Sequence, residues 1–222
     1  SYNPSCLAVI PVRESYPDFE GVPYRIYNGK SLLENAIFTA QECRHVTEVL
    51  VSTESQQVIE FSTRLESEGL VGKHTRILRS PKVRSNAIPI KDILVEAAQC
   101  CRDQNGAYPD IVMFLSLHAL ARKASHLDKA INVLRLTECD SVVSVREERE
   151  PIFVHGENGL RLLNPGRFSD IALDRERLYR FNGCVIASWW EVLGAGDLLG
   201  ERIGYVEMSA SDSLQLKSGV LA

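Results

Sequence analysis

The feature that most constrains this chain is alternation. Over the first ~145 residues, short apolar runs of β type take turns with segments whose apolar residues recur at helical spacing. The first run, residues 7–13 (LAVIPVR), is an apolar strand that ends in a proline and an arginine. A helix follows from Ser31, where Ser31-x-x-Glu34 forms a capping box and Leu33, Ala36, Ile37 and Ala40 share a face. Next come a strand at 48–52, a helix opened by Thr53-x-x-Gln56, and a short strand at 75–78. Ile90, Ile93, Leu94, Ala97, Ala98 and Cys101 then mark a strongly amphipathic helix. Residues 110–115 (DIVMFL) are the most apolar strand, which places them at the centre of a sheet. A helix capped by Ser125-x-x-Asp128 and a strand at 141–145 complete the series. The pattern predicts an α/β three-layer sandwich: a mainly parallel sheet with helices on both faces.

The alternation breaks at 147–180. This stretch is polar, with turn signals at Glu157-Asn158-Gly159 and Asn164-Pro165-Gly166, yet it contains Ile152, Phe153, Val154, Leu160, Leu162 and Leu163. It reads as a hairpin or arm inserted in a single domain spanning 1–222. So much apolar surface in an excursion needs cover, so the arm is expected to cross to a second copy of the chain. Regular structure resumes with a strand at 184–190, a helix from about Trp190, a strand at 205–208 and a closing helix from about Ser211.

At 222 residues the chain can bury a sizeable core without staples. A net charge of −4 argues against a broad nucleic-acid-binding face. No apolar run approaches the ~20 residues that span a bilayer. The six cysteines show no C-x-x-C spacing and read as buried small hydrophobes in a reducing cytoplasm.

Ligands of open α/β sheets bind beyond the carboxyl ends of the strands. That rule selects Arg13, Ser52, Arg79, Ser116 and Arg146. Arg25, the Asn28-Gly29 turn and Lys30 lie between the first strand and the first helix. A strand, a cation-bearing loop and a helix in that order suggest a nucleoside triphosphate site.

Taken together, these segments resemble the cytidylyltransferases that activate acidic keto-sugars, the acylneuraminate and KDO (3-deoxy-manno-octulosonate) enzymes. The family's I-P-A-R appears as Ile10-Pro11-Val12-Arg13, its G-[IL]-P-x-K as Gly21-Val22-Pro23-Tyr24-Arg25, and its G-K-P-L-[IL] as Gly29-Lys30-Ser31-Leu32-Leu33. V-S-T-D becomes Val51-Ser52-Thr53-Glu54, and L-R-P becomes Leu78-Arg79-Ser80. D-S-V-[VF]-S-V is intact at 140–145, and R-x-N-G at Arg180-Phe181-Asn182-Gly183. The resemblance implies a nucleotide-diphospho-sugar-transferase-like fold, usually dimeric through the inserted arm. It also implies transfer of CMP from CTP to the anomeric hydroxyl of the sugar, with release of pyrophosphate and with Mg²⁺ as cofactor. Carried over residue by residue, Arg13 and Arg25 would neutralise the triphosphate. Pro11, Arg79 and Ser116 would join them in holding the nucleotide. Arg180, Asn182 and Gly183 would hold the sugar.

The chain departs from the family where the chemistry is most demanding. L-Q-P-T-S-P-L-R reads 115–122, LSLHALAR, so Ser116 replaces a glutamine and both prolines are lost. His118 falls where KDO-type members carry a metal-binding aspartate. The metal motif D-I-D-T reads Glu207-Met208-Ser209-Ala210, which leaves Glu207 as the metal ligand, with Asp212 and His118 as possible helpers. The opening loop carries Glu14, Asp18 and Glu20, negative charges where a triphosphate would lie. Two readings follow: an active cytidylyltransferase with a diverged site, or a catalytically degenerate relative that keeps the fold for binding or assembly.

Overall fold

The computed structural model describes residues 2–85, 87–164 and 177–216. Strand β1 (Cys6–Pro11) is covered on both sides, as an apolar run without alternation requires. Cys6, Ala8 and Ile10 enter the core on one face of the sheet, and Leu7 and Val9 enter the core on the other. The remaining strands are β2 (Glu48–Thr53), β3 (Thr75–Arg79), β4 (Ile111–Leu115), β5 (Ser141–Glu148), β6 (Leu178–Trp189) and β7 (Ile203–Glu207). They form one seven-stranded sheet in the order β7-β5-β6-β4-β1-β2-β3. Strand β6 runs antiparallel to β4 and β5, and the other pairs are parallel.

Helices α1 (Leu32–Glu42), α2 (Gln56–Ser67) and α4 (Ala124–Leu136) cover one face. Helices α3 (Ile90–Asn105) and α5 (Trp190–Gly194) cover the other. The three-layer sandwich predicted from alternation is the architecture observed. Among the described residues no helix is long and apolar enough to cross a membrane.

Local details differ from the sequence reading. Half of the predicted α1 capping box forms: the Ser31 hydroxyl accepts from the Glu34 N–H at 3.1 Å, an interaction typically worth ~1 kcal/mol, without the reciprocal bond to the Glu34 side chain. Helix α2 is capped by Ser55, not Thr53, because Thr53 is still the last residue of β2. Helix α4 starts at Ala124, so Ser125 already lies in its first turn; His126 Nδ1 accepts from the Lys123 N–H at 3.0 Å instead. No closing helix follows β7 in the described residues. Residues 210–213 form a turn, and Gln215 then bridges to Ala119 as a short extended piece.

Asn182-Gly183 is not a turn either. It lies inside the twelve-residue β6, at the break in register between Phe181 and Ile186. The excursion from the sheet leaves at Glu148 and returns at Leu178. Within it Ile152–Gly156 and Gly159–Asn164 pair as an antiparallel hairpin. The second turn signal, at 164–166, falls partly outside the described residues. Phe153, Leu160, Leu162 and Leu163 of the hairpin are exposed.

Candidate functional site

In the sheet order, β1 has β2 on one side and β4 on the other, which is the topological switch point of an open α/β sheet. A cleft of about 650 Å³ opens there, beyond the carboxyl ends of β1 and β4. Pro11, Arg13, Ser116 and His118 line it together, as the strand-end rule predicts for Arg13 and Ser116. One wall is apolar, built from Val83, Ile88, Ile90, Ile93 and Phe114. Arg13, Asp18, Ser116 and His118 supply polar groups to the cleft. The cleft therefore suits a ligand that combines a flat or apolar group with a negatively charged one that Arg13 can meet.

The opening loop forms the rim. Ser15–Tyr16 and Phe19–Glu20 pair as a small hairpin. Tyr16 lies beneath the Arg13 guanidinium, whose carbon is 5.0 Å from the ring centroid. The same ring meets His118 edge-on, with centroids 4.5 Å apart. Burial and the neighbouring Arg13 charge both push the His118 pKa below its usual value, so the ring is neutral at neutral pH. Of the three acidic residues in the loop, Glu14 is turned away, accepting from the Ser55 hydroxyl at 2.8 Å, and Asp18 lines the cleft. Glu20 is exposed.

A second cavity of about 310 Å³ is lined by Arg146, Arg180, Asn182, Gly183, Ser213 and Gln215. Arg180 forms an ion pair with Glu148. Arg146 is its partner in the strand register, and no carboxylate among the described residues lies within ion-pair distance of it. Asn182 is held by its surroundings. Its Oδ1 accepts from the Ser144 hydroxyl at 2.6 Å and from the Cys184 N–H at 3.2 Å, and its Nδ2 donates to the Ser213 hydroxyl at 3.1 Å. These bonds hold the strand irregularity on which Gly183 sits, and Asn182 still lines the cavity. Consecutive residues of the extended tail face the two cavities: Leu216 lines the cleft and Gln215 lines the second cavity.

The structure does not bring every predicted residue here. Arg25 sits behind the rim hairpin, its guanidinium 5.3 Å from the Phe19 ring and its Nε donating to the Glu20 carbonyl. It braces the hairpin rather than lining the cleft. Arg79 ends the edge strand β3, two strands from the switch point, and bonds to Gln56. Ser52 is fully buried at the end of β2. Lys30 is 3.4 Å from the Phe38 ring centroid. Tyr16, Gln215 and Leu216 were not legible as site residues, because a loop hairpin and a tail seat them. Arg146 was selected by the strand-end rule but not matched to any motif.

The metal-ligand candidates are also separated. Glu207 lines a surface groove with Lys129, Asn132 and Val133 of α4. Asp212 pairs with Lys123 at 3.3 Å and His126 at 3.4 Å. Burial alone would raise its carboxyl, but these two partners hold it below the usual carboxylate range. His118 faces the cleft. Among the described residues no group of three His, Cys, Asp or Glu side chains is placed to hold a metal ion. The set Glu207, Asp212 and His118 therefore does not fit a built Mg²⁺ site, which needs hard oxygens converging on one point. The motif spacing could not show this, since Asp212 is drawn to Lys123 and His126 at the start of α4 while Glu207 lines a groove further along that helix.

No protein-family model and no curated protein sequence matches the chain. Solved structures do match. One is CMP:2-keto-3-deoxy-manno-octonic acid synthetase complexed with CTP, at a TM-score of 0.65 and 16% identity over 93% of this chain and 90% of that one. Another is 4-diphosphocytidyl-2C-methyl-D-erythritol synthase from Anaerococcus prevotii DSM 20548, at 0.64 and 11% identity over 97% and 91%.

Proposed function

We propose that this chain, whose fold is shared with two cytidylyl-transferring enzymes, is itself a nucleotidyltransferase that moves CMP from CTP to an acidic keto-sugar. One observation carries the reading: Arg13, Ser116 and His118 meet in one cleft at the switch point, beside a second cavity flanked by Arg146 and Arg180. The apolar wall would take the base and Arg13 the phosphates. The two arginines would take the sugar carboxylate, for which guanidinium is suited by its paired donors. In such a reaction the sugar hydroxyl attacks the α-phosphorus, the bond to the bridging oxygen breaks, and pyrophosphate leaves. Catalysis is then largely positioning and neutralisation of charge.

Mg²⁺ enters this proposal as a partner of the nucleotide phosphates. Asp18 is the one carboxylate among the described residues that line the cleft. The acidic keto-sugar is favoured over an uncharged acceptor by Arg146, which lines the second cavity and has no ion-pair partner within reach among the described residues. A homodimer joined through the exposed arm belongs to the same proposal.

The separation of Glu207, Asp212 and His118 favours a second reading, a degenerate relative that binds nucleotide without turnover. A pyrophosphate-release assay with CTP, Mg²⁺ and a panel of keto-acid sugars decides between them. Release with an acidic keto-sugar supports the enzyme. CTP binding without release from any acceptor supports the degenerate relative.

A further inference from the structure

Arg122 stands just before α4 and is 4% exposed. Its Nη1 donates to the Ser116 carbonyl at 2.9 Å and to the Cys184 carbonyl at 2.8 Å. Its Nε is buried without a hydrogen-bond partner. No carboxylate among the described residues pairs with it; Asp212, on the turn packed near this end of α4, is engaged by Lys123 and His126. Burial depresses its pKa to about 10, which still leaves the guanidinium charged. A buried cation without a counter-ion is costly, and an apolar core would avoid that cost. Something other than packing explains its place.

One carbonyl belongs to a residue that lines the cleft, and the other to the residue that follows Gly183 of the second cavity. Ser116 lines the cleft, and its hydroxyl accepts from the His118 N–H at 3.2 Å, so fixing Ser116 also fixes the loop that carries His118. Cys184 follows Gly183, and its N–H donates to the Asn182 side chain at 3.2 Å, so fixing Cys184 fixes the strand irregularity in the second cavity. One guanidinium thus ties the loop that lines the cleft to the strand segment behind the second cavity. We infer that Arg122 is a positioning residue that ties the two cavities into one site, its charge balanced by the anions bound there. This rests on the nucleotidyltransferase reading above.

The test measures binding of CTP and of KDO, separately, by calorimetry to the full chain, alongside the thermal midpoint of the ligand-free protein. Arg122→Met is expected to weaken both ligands together, each by about ten-fold or more. Its midpoint should change little, because two lost carbonyl partners are offset by removal of an uncompensated charge. Arg122→Lys, which keeps the charge, should show a smaller loss for both. Unchanged affinities in Arg122→Met overturn the inference, as does a loss confined to one ligand. If Arg122→Met does not fold, Arg122→Lys decides: a joint loss of about three-fold supports the inference and unchanged binding of both overturns it. An unmodified chain that binds neither CTP nor KDO refutes the reading of the site itself, and the role of Arg122 falls with it.

Discussion

The Tyr16 hydroxyl accepts a hydrogen bond from the backbone N–H of Arg13 at 3.1 Å, while its ring lies against the Arg13 guanidinium. The residue that carries the cation and the residue that frames it are three positions apart. The rim hairpin brings them face to face. Arg13→Met is expected to weaken CTP binding by about ten-fold or more, the scale of a lost charge-assisted hydrogen bond. Tyr16→Phe keeps the ring contact and loses the bond to the backbone, so it should cost only ~1 kcal/mol of stability. Calorimetric titration and thermal melting check the two.

His118 makes stability depend on pH. Its folded pKa lies below the ordinary value of 6.5, so the unfolded chain takes up a proton that the folded chain resists. The stabilisation is present above pH 6.5 and is lost as pH falls through the lower, folded value. His126, also depressed, adds a contribution of the same sign. Melting curves between pH 8 and pH 5, taken as ~0.5-unit steps, should show the midpoint falling at the acid end, and less steeply in His118→Gln. An acid-side slope unchanged by the substitution would contradict the assignment.

Gly183 has φ of +75°, and a Cβ there would collide with the Gln215 side chain. Gly183→Ala should therefore destabilise the protein by ~1–3 kcal/mol, combining a left-handed backbone with the displacement of Gln215. Denaturant unfolding measures it. A neutral outcome would contradict the left-handed backbone at Gly183.

In the second cavity Arg146 should matter more than Arg180, whose charge Glu148 already offsets. Arg146→Ala is expected to raise KM for the acidic sugar by about ten-fold and to leave KM for CTP close to that of the unmodified chain. The reverse pattern would assign Arg146 to the nucleotide.

The arm exposes Phe153 and Leu160, the latter at 71%. Light scattering at micromolar concentration should report a dimer, and Phe153→Lys combined with Leu160→Glu should shift it toward monomer, because charge in an apolar contact must be desolvated. A stable monomer of the unmodified chain would remove the arm as an interface.

The layers of the fold were legible because burial on both sides of a strand leaves a continuous apolar run, as in Cys6–Pro11 and Ile111–Leu115, and a covered helix face leaves a 3.6-residue period. The strand-end rule then found Arg13 and Ser116, since parallel strands deliver the residues after them to one edge. It failed for Arg79, because the rule names the edge of the sheet but not which strand sits at the switch point. It failed for Ser52 because the residue after a central strand can stay inside the core.

Sequence alone thus determined the alternation, the three layers and the position of the first cation, all of which follow from local periodicity and burial. Tertiary structure decided the rest. That Arg25 braces a hairpin, that Glu207 and Asp212 part company, and that Arg122 reaches the Cys184 carbonyl 62 positions further along the chain while also holding Ser116 are matters of which loops pack together. Such contacts are set by side chains far apart in sequence, and no periodicity records them.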